Sequence, residues 1–325
     1  MLRLGLVFLI LMMALGGVVA FGVDRFQKPG AYGEAVTLII PRGEGVGAIA
    51  RRLEVAGVLE SGFFFHVAVR LSGNDRGLRA GEYAFPPFAS PAKVMEILRD
   101  GTTVLRKFTV AEGLTTAHVL ALLDNAAGLE GEIADGPVPP EGALLPETYA
   151  YSWGETKQSL IARMRRAMTK TLGGLWDKRA EGLPLASPHD ALVLASLIEK
   201  ETALAEERPR VAAVFLNRLK RGMRLQSDPT VVYALSRGRG SLGRPLTRAD
   251  LKIDDPYNTY RMRGIPPGPI ANPGRAAIAA VLQPLVTDEL YFVADGRGGH
   301  IFARSLKEHQ RNVRRFRRLR KEKRP

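Results

Sequence analysis

The chain has 325 residues, which is long enough for a membrane anchor and two compact domains. A hydrophobic share of 46% with 25% charged residues is ordinary for folded domains and excludes a wholly disordered chain or a polytopic membrane protein. The formal charge of +14 indicates a polyanionic neighbour without choosing among nucleic acid, anionic lipid and acidic polymer, and the absence of cysteine excludes disulfides, thiolate metal sites and a cysteine nucleophile.

An apolar run opens the chain. The segment from Leu4 to Val23 carries no charge and has the length, about 20 residues, that crosses a hydrocarbon core as a helix. Residues 1 to 25 are therefore expected to form a short cytoplasmic tip and a single membrane-spanning anchor, with the rest of the chain exported. A cleaved signal peptide is the alternative, because Val18 and Ala20 suit a cleavage site before Phe21. We favour the anchor because the run is long for a signal sequence.

A small α+β module is expected at residues 35 to 104, after a linker at residues 26 to 34 that contains a proline and two glycines. The segment from Val36 to Ile40 alternates and is rich in branched residues, which predicts a strand, and a turn and a helix from Val46 follow it. A second strand at 81 to 85 and a helix at 91 to 98 complete the module.

The next segment, residues 105 to 144, repeats the start of this module. A strand is expected at 108 to 110, Gly113 stands where Gly43 stood, and LDNAAGLE (123 to 130) aligns with LEVAGVLE (53 to 60). Internal duplication is the economical explanation, although two unrelated strand and helix units can also look alike by chance when one pair is seen.

Residues 145 to 312 predict a mainly helical domain with a small β-sheet, so the fold class of the chain is α+β. Three polar helix starts precede apolar runs, and two strands at 289 to 294 and 300 to 303 flank ADGRGG as a hairpin. The helix starts are Ser187 with Pro188 and Asp190, Asp228 with Pro229, and Thr247 with Asp250 in a capping box.

A basic tail, residues 313 to 325, ends the chain. It belongs to a segment from Ser305 that is rich in arginine and lysine on every face. We expect a solvated terminal helix, because charge runs usually need no partner, and contact with an anionic lipid or polymer is the alternative.

A carboxylate at the end of an apolar helix is the strongest chemical signal. In LIEKET (197 to 202), Glu199 follows Leu192 and Ala195 at helical spacing on the packed side, whereas Glu201 is expected to point elsewhere. Partial burial would raise the pKa of Glu199, as a general acid working near neutral pH requires. The plainer alternative is a surface glutamate paired with a lysine.

The sequence lacks the motifs of several other common catalytic mechanisms. The sequence contains no HExxH metal helix, no GxSxG elbow, no Walker loop and no nucleic-acid recognition motif, so metal and phosphate mechanisms and nucleic-acid binding are not expected. Loops rich in amides, hydroxyls and aromatics suit a neutral, hydroxyl-rich ligand such as a sugar chain, and tight connectors are an equally good interpretation of them. These loops lie at 215 to 235, 255 to 274 and 291 to 302.

Taken in order, four motifs resemble those of the endolytic murein transglycosylases, the MltG or YceG-like family. They are LIEKET, GMRLQSDPTVVYAL, YNTYRMRGIPPGPIANPG and LYFVADGRGGH. In addition, LLPETY (144 to 149) is similar to the segment that opens the family's catalytic domain, here residues 145 to 312. The N-terminal span and a small LysM-like α+β module at 35 to 104 resemble the family more loosely.

The resemblance implies that Glu199 is the catalytic residue and that the chain cleaves the β-1,4 bond between N-acetylmuramic acid and N-acetylglucosamine in nascent peptidoglycan, leaving 1,6-anhydro ends. One glutamate suffices, because the muramyl C6 hydroxyl attacks its own anomeric carbon. The resemblance also implies a periplasmic body anchored in the inner membrane beside peptidoglycan synthases (penicillin-binding proteins), where it ends glycan polymerisation, and no cofactor. We expect five residues to line the groove or hold its loops: Gln226, Asp228, Asn258, Thr259 and Tyr260.

Two other functions stay open. A muramidase-type hydrolase would use Glu199 as the acid with Asp228 or Glu201 assisting a water, and a non-catalytic wall-binding scaffold would use the LysM-like module and the basic tail. For Asp228 we expect a helix N-cap rather than direct catalysis.

Overall fold

The structure is a computed structural model that describes residues 2–322. Its backbone contacts divide the chain into two compact units. The N-terminal unit contains the chain up to Arg106 together with Ala127–Leu129 and Ala150–Glu155, and the C-terminal unit contains Lys107–Ala126, Glu130–Tyr149 and the chain from Thr156 onward. Both units contain helices and short strands, which confirms the predicted α+β class.

The chain begins with a long apolar helix, α1 (Leu2–Gln27). The segment Gly5–Gln27 is long enough to cross a membrane as a single helix, and its most apolar 18-residue stretch has a mean hydropathy of 2.7. The large apolar side chains between Leu6 and Val23 are exposed. Length and composition thus support the predicted anchor, and a signal sequence near the N-terminus passes the same test.

The N-terminal unit is built on an antiparallel pair, β1 (Val36–Ile40) and β2 (Gly81–Phe85), with Val36 opposite Phe85 and Ile40 opposite Gly81. Both strands have the predicted bounds. Three helices, α2 (Val46–Val55), α3 (Gly62–Leu71) and α4 (Pro91–Asp100), pack with the sheet around a core that includes Leu53, Phe65 and Tyr83. The sequence did not predict α3, because three consecutive phenylalanines at 63 to 65 hide its helical period.

The chain crosses between the units five times, once between Ala126 and Ala127 and four times within a strand. These strands are β3 (Leu105–Thr109), β4 (Leu129–Glu130), β5 (Thr148–Ser152) and β6 (Glu155–Thr156). After β3 come a turn and α5 (Thr116–Asp124), in the same order as β1, its turn and α2. Gly43 and Gly113 both adopt left-handed φ values, 81° and 76°, which glycine adopts without strain. The two segments therefore share element order and turn geometry, which supports the predicted duplication.

One buried helix organises the C-terminal unit. The helices of this unit after α5 are α6 (Lys157–Trp176), α7 (Pro188–Glu201), α8 (Arg208–Lys220), α9 (Asp228–Ser236), α10 (Arg275–Leu282) and α11 (Leu306–Glu322). The helices α6, α8, α9 and α10 all contact α7, whose residues 191 to 198 are all buried. Because α7 is held on all sides, its C-terminal end is a rigid position for a functional side chain.

The predicted helix starts have different outcomes. Ser187 and Asp190 exchange hydrogen bonds of 3.2 Å, which confirms the capping box of α7. Thr247 and Asp250 make the same exchange at 2.7 and 3.2 Å but open only a 3₁₀ turn, Asp250–Lys252. The N-cap role expected of Asp228 is wrong, because the cap residue of α9 is Ser227.

The predicted hairpin is present as β7 (Tyr291–Ala294) and β8 (His300–Ala303), with Tyr291 opposite Ala303. Helix α11 packs against it, and the rings of Tyr291 and His309 stack at 5.1 Å. His309, Val313 and Phe316 share a half-buried face of α11. The expectation of a basic helix on every face is therefore wrong, since this face is apolar enough to pack.

Candidate active site

Glu199 lies in the last turn of α7, directly after the buried stretch of that helix, and its side chain is 4% exposed. Its Oε1 accepts a hydrogen bond from Nη2 of Arg208 at 3.1 Å, and its Oε2 accepts one from the backbone N–H of Gly274 at 2.8 Å. Burial raises the pKa of Glu199 above its ordinary value, against the opposing effects of Gly274 and Arg208. The packed position predicted from the helical spacing is where the structure places it.

A second carboxylate, Glu112, shares the same arginine. Nη2 of the buried Arg208 donates to Oε2 of Glu112 at 3.0 Å as well as to Glu199. The negative charge of Glu112 further raises the pKa of Glu199. Glu112 packs directly against Gly274, where a Cβ would lie 1.8 Å from Oε1 of Glu112. Two carboxylates and one guanidinium therefore form a close cluster, which we call the Glu199 cluster.

Sequence reasoning missed Glu112. It stands immediately before Gly113, far from LIEKET along the chain, and only the folded chain brings the two glutamates together. The signal that could have found it is the repeat, because the residue before the corresponding turn glycine, Gly43, is Arg42. The residue before the turn glycine is basic in the first copy and acidic in the second. Such a change of charge indicates that the carboxylate has a specific role in the second copy.

A cleft of about 680 Å³ lies beside the Glu199 cluster. Glu199 is directly behind its wall at Gly113, where a Cβ would lie 3.5 Å from Cγ of Glu199. Lys200 lines the cleft and holds this wall by donating from Nζ to the carbonyl of Gly113 at 3.2 Å. Other lining residues include His118, Asp228, Tyr233, Gly240 and Arg244. The volume is that of a site for a small to medium-sized ligand.

Two of the predicted binding residues meet at this cleft. Asp228, which lines it, accepts a hydrogen bond from the hydroxyl of Tyr260 at 2.6 Å. Burial and the bond to Asp228 raise the pKa of Tyr260, so its hydroxyl stays protonated as a donor. The carboxylate of Asp228 is thus occupied by a loop contact instead of the helix cap.

Two others, Asn258 and Thr259, are buried and hold loops. The Asn258 amide donates to the carbonyls of Leu251 and Ile253 at 3.2 and 2.8 Å. The Thr259 hydroxyl accepts from the backbone N–H of Ser227 at 2.9 Å. Their side chains are 0% and 1% exposed respectively, so they position the loops and do not present groups to a ligand.

The fifth, Gln226, is exposed and adopts a φ of 52°. This left-handed conformation is strained for a residue with a side chain, and such strain persists where the surroundings enforce it. Here the backbone N–H of Gln226 donates to the carbonyl of Thr259 at 3.2 Å. The Thr259 loop thus fixes an exposed amide side chain two residues before Asp228 in the sequence.

The position of Glu201 also differs from the expectation drawn from the sequence. It was expected to point away from the packed side, but Oε1 accepts a 2.5 Å hydrogen bond from the hydroxyl of Ser227, and burial raises the pKa of Glu201 to about 7. The reason is that α7 ends at Glu201 and the chain becomes extended at Thr202, so the Ser227 turn packs over the helix end. Neither Glu201 nor Asp228 is hydrogen-bonded to Glu199, whose carboxylate accepts from Arg208 and from the Gly274 N–H.

Among residues 2–322, no group of three or more His, Asp or Glu side chains is arranged to hold a metal ion. The carboxyl groups and hydrogen-bond donors of the Glu199 cluster allow proton donation, proton acceptance and stabilisation of a carboxylate.

Comparison with known proteins identifies the family of the chain. The model of the YceG-like family matches residues 38–315 of the chain. The chain belongs to the YceG-like family. An endolytic murein transglycosylase of Bacillus subtilis is 33% identical over 305 residues, which cover 85% of this chain and 83% of the relative. Two endolytic murein transglycosylases of Streptococcus pneumoniae are 32% identical, but the chain spans only 58% of their length.

A crystal structure of a YceG-like protein from Listeria monocytogenes resembles the present one. The TM-score is 0.52 at 28% identity, and the match covers 86% of this chain and 99% of that chain. The YceG-like match includes Glu112, Glu199 and Arg208, and α1 lies outside it. The family that the four sequence motifs indicated is thus confirmed.

Proposed function

We propose that this YceG-like chain is an endolytic murein transglycosylase, which cleaves the β-1,4 bond between N-acetylmuramic acid and N-acetylglucosamine within peptidoglycan strands and leaves 1,6-anhydro ends. The names of its relatives from Bacillus subtilis and Streptococcus pneumoniae support the reaction class. The observation that carries the proposal is Glu199, a buried carboxyl group with a raised pKa beside a ligand-sized cleft.

In the proposed mechanism Glu199 acts first as an acid and then as a base. Its carboxyl proton goes to the glycosidic oxygen as the bond from that oxygen to the muramyl C1 breaks. The C6 hydroxyl of the same sugar then bonds to C1, and its proton returns to Glu199, so that no water is consumed. The acid is regenerated at the end of each turnover, which is why one carboxyl group can serve both steps.

The Glu199 cluster balances the two protonation states that this mechanism needs. Burial and the charge of Glu112 favour the protonated acid, while Arg208 and the Gly274 N–H stabilise the carboxylate that remains once the proton has been donated. We propose that Gln226, Asp228 and Tyr260 meet the glycan strand and that Asn258 and Thr259 hold the loops that present them.

The effect of Glu112 can be measured as a pH shift. Replacing Glu112 with Gln removes its negative charge but keeps an oxygen that accepts from Arg208, so the pKa of Glu199 should fall. Because an acid catalyst works only while protonated, the decline of kcat/KM at high pH should begin about one pH unit lower in the variant. Rates of strand cleavage measured between pH 4 and 9 test this.

The matched control is Glu289→Gln. Glu289 pairs with Arg210, on the same helix as Arg208 but outside the Glu199 cluster, with a contact of 2.8 Å. This substitution should leave the pH profile in place. A Glu112→Gln profile with the wild-type midpoint and a uniformly lower rate would assign Glu112 a structural role instead.

A muramidase-type hydrolase is the second candidate, and Glu112 is the observation that favours it. A hydrolase needs a second carboxylate to direct a water molecule, and Glu112 shares Arg208 with Glu199, unlike Asp228 and Glu201, which bond Tyr260 and Ser227. The two reactions leave different ends on the muramic acid, a 1,6-anhydro ring or a reducing sugar.

Location and partners complete the proposal. We propose that α1 anchors the chain in the inner membrane, that the catalytic body lies in the periplasm, and that it acts on nascent strands beside peptidoglycan synthases to end their polymerisation. The supporting observation is the N-terminal helix, which has the length and hydropathy of a membrane span.

Product analysis tests the proposed reaction. The full chain in detergent is incubated with uncrosslinked glycan strands, and the released muropeptides are identified by mass spectrometry. Anhydromuramyl ends are expected. Reducing muramyl ends would instead establish the hydrolase, and strand binding without any cleavage would leave a non-catalytic wall-binding protein.

A further inference from the structure

Helix α3 carries an exposed apolar stripe. Phe63, Val67 and Leu71 recur every fourth residue, so they lie on one face of the helix, and they are 71%, 39% and 83% exposed. Phe64 beside them is 48% exposed. The outward face of a helix in a soluble domain normally carries polar residues, and adjacent exposed apolar side chains mark a contact with protein or membrane.

The stripe begins beside the end of α1, within the same N-terminal unit. Glu60 pairs with Arg25 at 3.5 Å and immediately precedes the N-cap residue of α3. Arg25 is among the first charged residues after the apolar run of α1. Phe64 lines a small recess together with Arg25 and Lys28. Phe26 packs against the core of the unit. The start of α3 is thus fixed at the level where the apolar part of α1 ends.

We propose that the exposed stripe of α3 inserts into the interfacial layer of the bilayer that α1 spans. This inference rests on the proposed anchoring by α1. The position at the end of a membrane span selects lipid over a soluble partner, because apolar side chains at that level meet the boundary between acyl chains and headgroups. Arg25 and Lys28 supply positive charge at the same level, where lipid phosphates lie.

The consequence is a second, non-spanning contact with the membrane. A single helix leaves a domain free to swing about its linker, whereas a span and an interfacial helix together restrict its orientation. Insertion of the stripe would therefore fix the orientation of the N-terminal unit relative to the membrane.

Because the chain contains no cysteine, a single cysteine introduced by substitution can be labelled specifically. Phe63→Cys in the full chain is labelled with a nitroxide in nanodiscs of zwitterionic and anionic phospholipid. Electron paramagnetic resonance then compares collisions of the label with oxygen, which concentrates in lipid, and with a water-soluble nickel chelate. Leu11→Cys on α1 is the lipid reference and Val286→Cys, at a fully exposed position of the C-terminal unit, is the water reference.

The expected result is that the label at 63 collides with oxygen in preference to nickel, as at Leu11, while the label at Val286 shows the reverse. A label at 63 that is as accessible to nickel as that at Val286 overturns the inference. So does a label at 63 that neither collider reaches, since protein would then cover the stripe. If the Leu11 label itself meets nickel, the anchor proposal fails, and the inference fails with it.

Discussion

Replacing Glu199 with Gln is expected to lower kcat for strand cleavage by about 10²- to 10⁴-fold, because the amide can neither give a proton to the glycosidic oxygen nor take one from the C6 hydroxyl. The residual rate of the variant should lack the decline at high pH that deprotonation of Glu199 causes in the wild type, whereas Glu112→Gln should only shift that decline. The measurement is the single-turnover rate with uncrosslinked strands, taken across the same pH range.

The Glu199→Gln variant also tests how much the hydrogen bonds of the Glu199 carboxylate contribute to the free energy of unfolding. Both oxygens of Glu199 accept hydrogen bonds, one from Arg208 and one from the Gly274 N–H, whereas an amide offers only one acceptor. Its NH₂ group must therefore face a donor, at a cost of about 1 to 3 kcal/mol of unfolding free energy. Chemical denaturation must show that the variant is folded at the assay temperature, with Glu289→Gln as the control. A folded variant with wild-type kcat would mean that another group is the acid.

The sequence predicted those features of the fold that depend on neighbouring residues. The bounds of β1 and β2, the hairpin of β7 and β8, and the Ser187 capping box follow from alternation and from side-chain bonds that span three residues. The packed position of Glu199 follows in the same way, because helical spacing carries the buried face of α7 into its last turn. The residue ranges predicted for the domains and the LysM-like character of residues 35 to 104 stay predictions.

Features that depend on distant residues could not be predicted. Glu112 joins Glu199 only through Arg208. The carboxylate of Glu201 accepts a hydrogen bond from the hydroxyl of Ser227, a contact that no pattern within LIEKET indicates. The predicted N-cap role of Asp228 was wrong for a related reason, because its carboxylate accepts a hydrogen bond from the hydroxyl of Tyr260, which lies 32 residues away in the sequence. In each case, tertiary contacts outweighed local preference.

Replacing Glu201 with Gln is expected to stabilise the chain at high pH and to have little effect at low pH. Burial raises the pKa of Glu201 from 4.5 to about 7 in the folded chain, with Asp228 adding to the rise and Ser227, His300 and Arg218 opposing it. Between these two pH values the folded state binds a proton that the unfolded state has released. The stability that this proton supplies is complete below pH 4.5 and is lost as pH rises through 7.

The Gln variant is neutral at every pH and keeps an oxygen that accepts from the hydroxyl of Ser227. Its unfolding free energy should therefore exceed that of wild type by at most about 3 kcal/mol at pH 8 and by less than about 1 kcal/mol at pH 5. Chemical denaturation at both pH values measures the difference, with the exposed Glu206→Gln as a control that should follow wild type. An equal difference at pH 5 and pH 8 would contradict the raised pKa, because a change in packing alone does not depend on a proton.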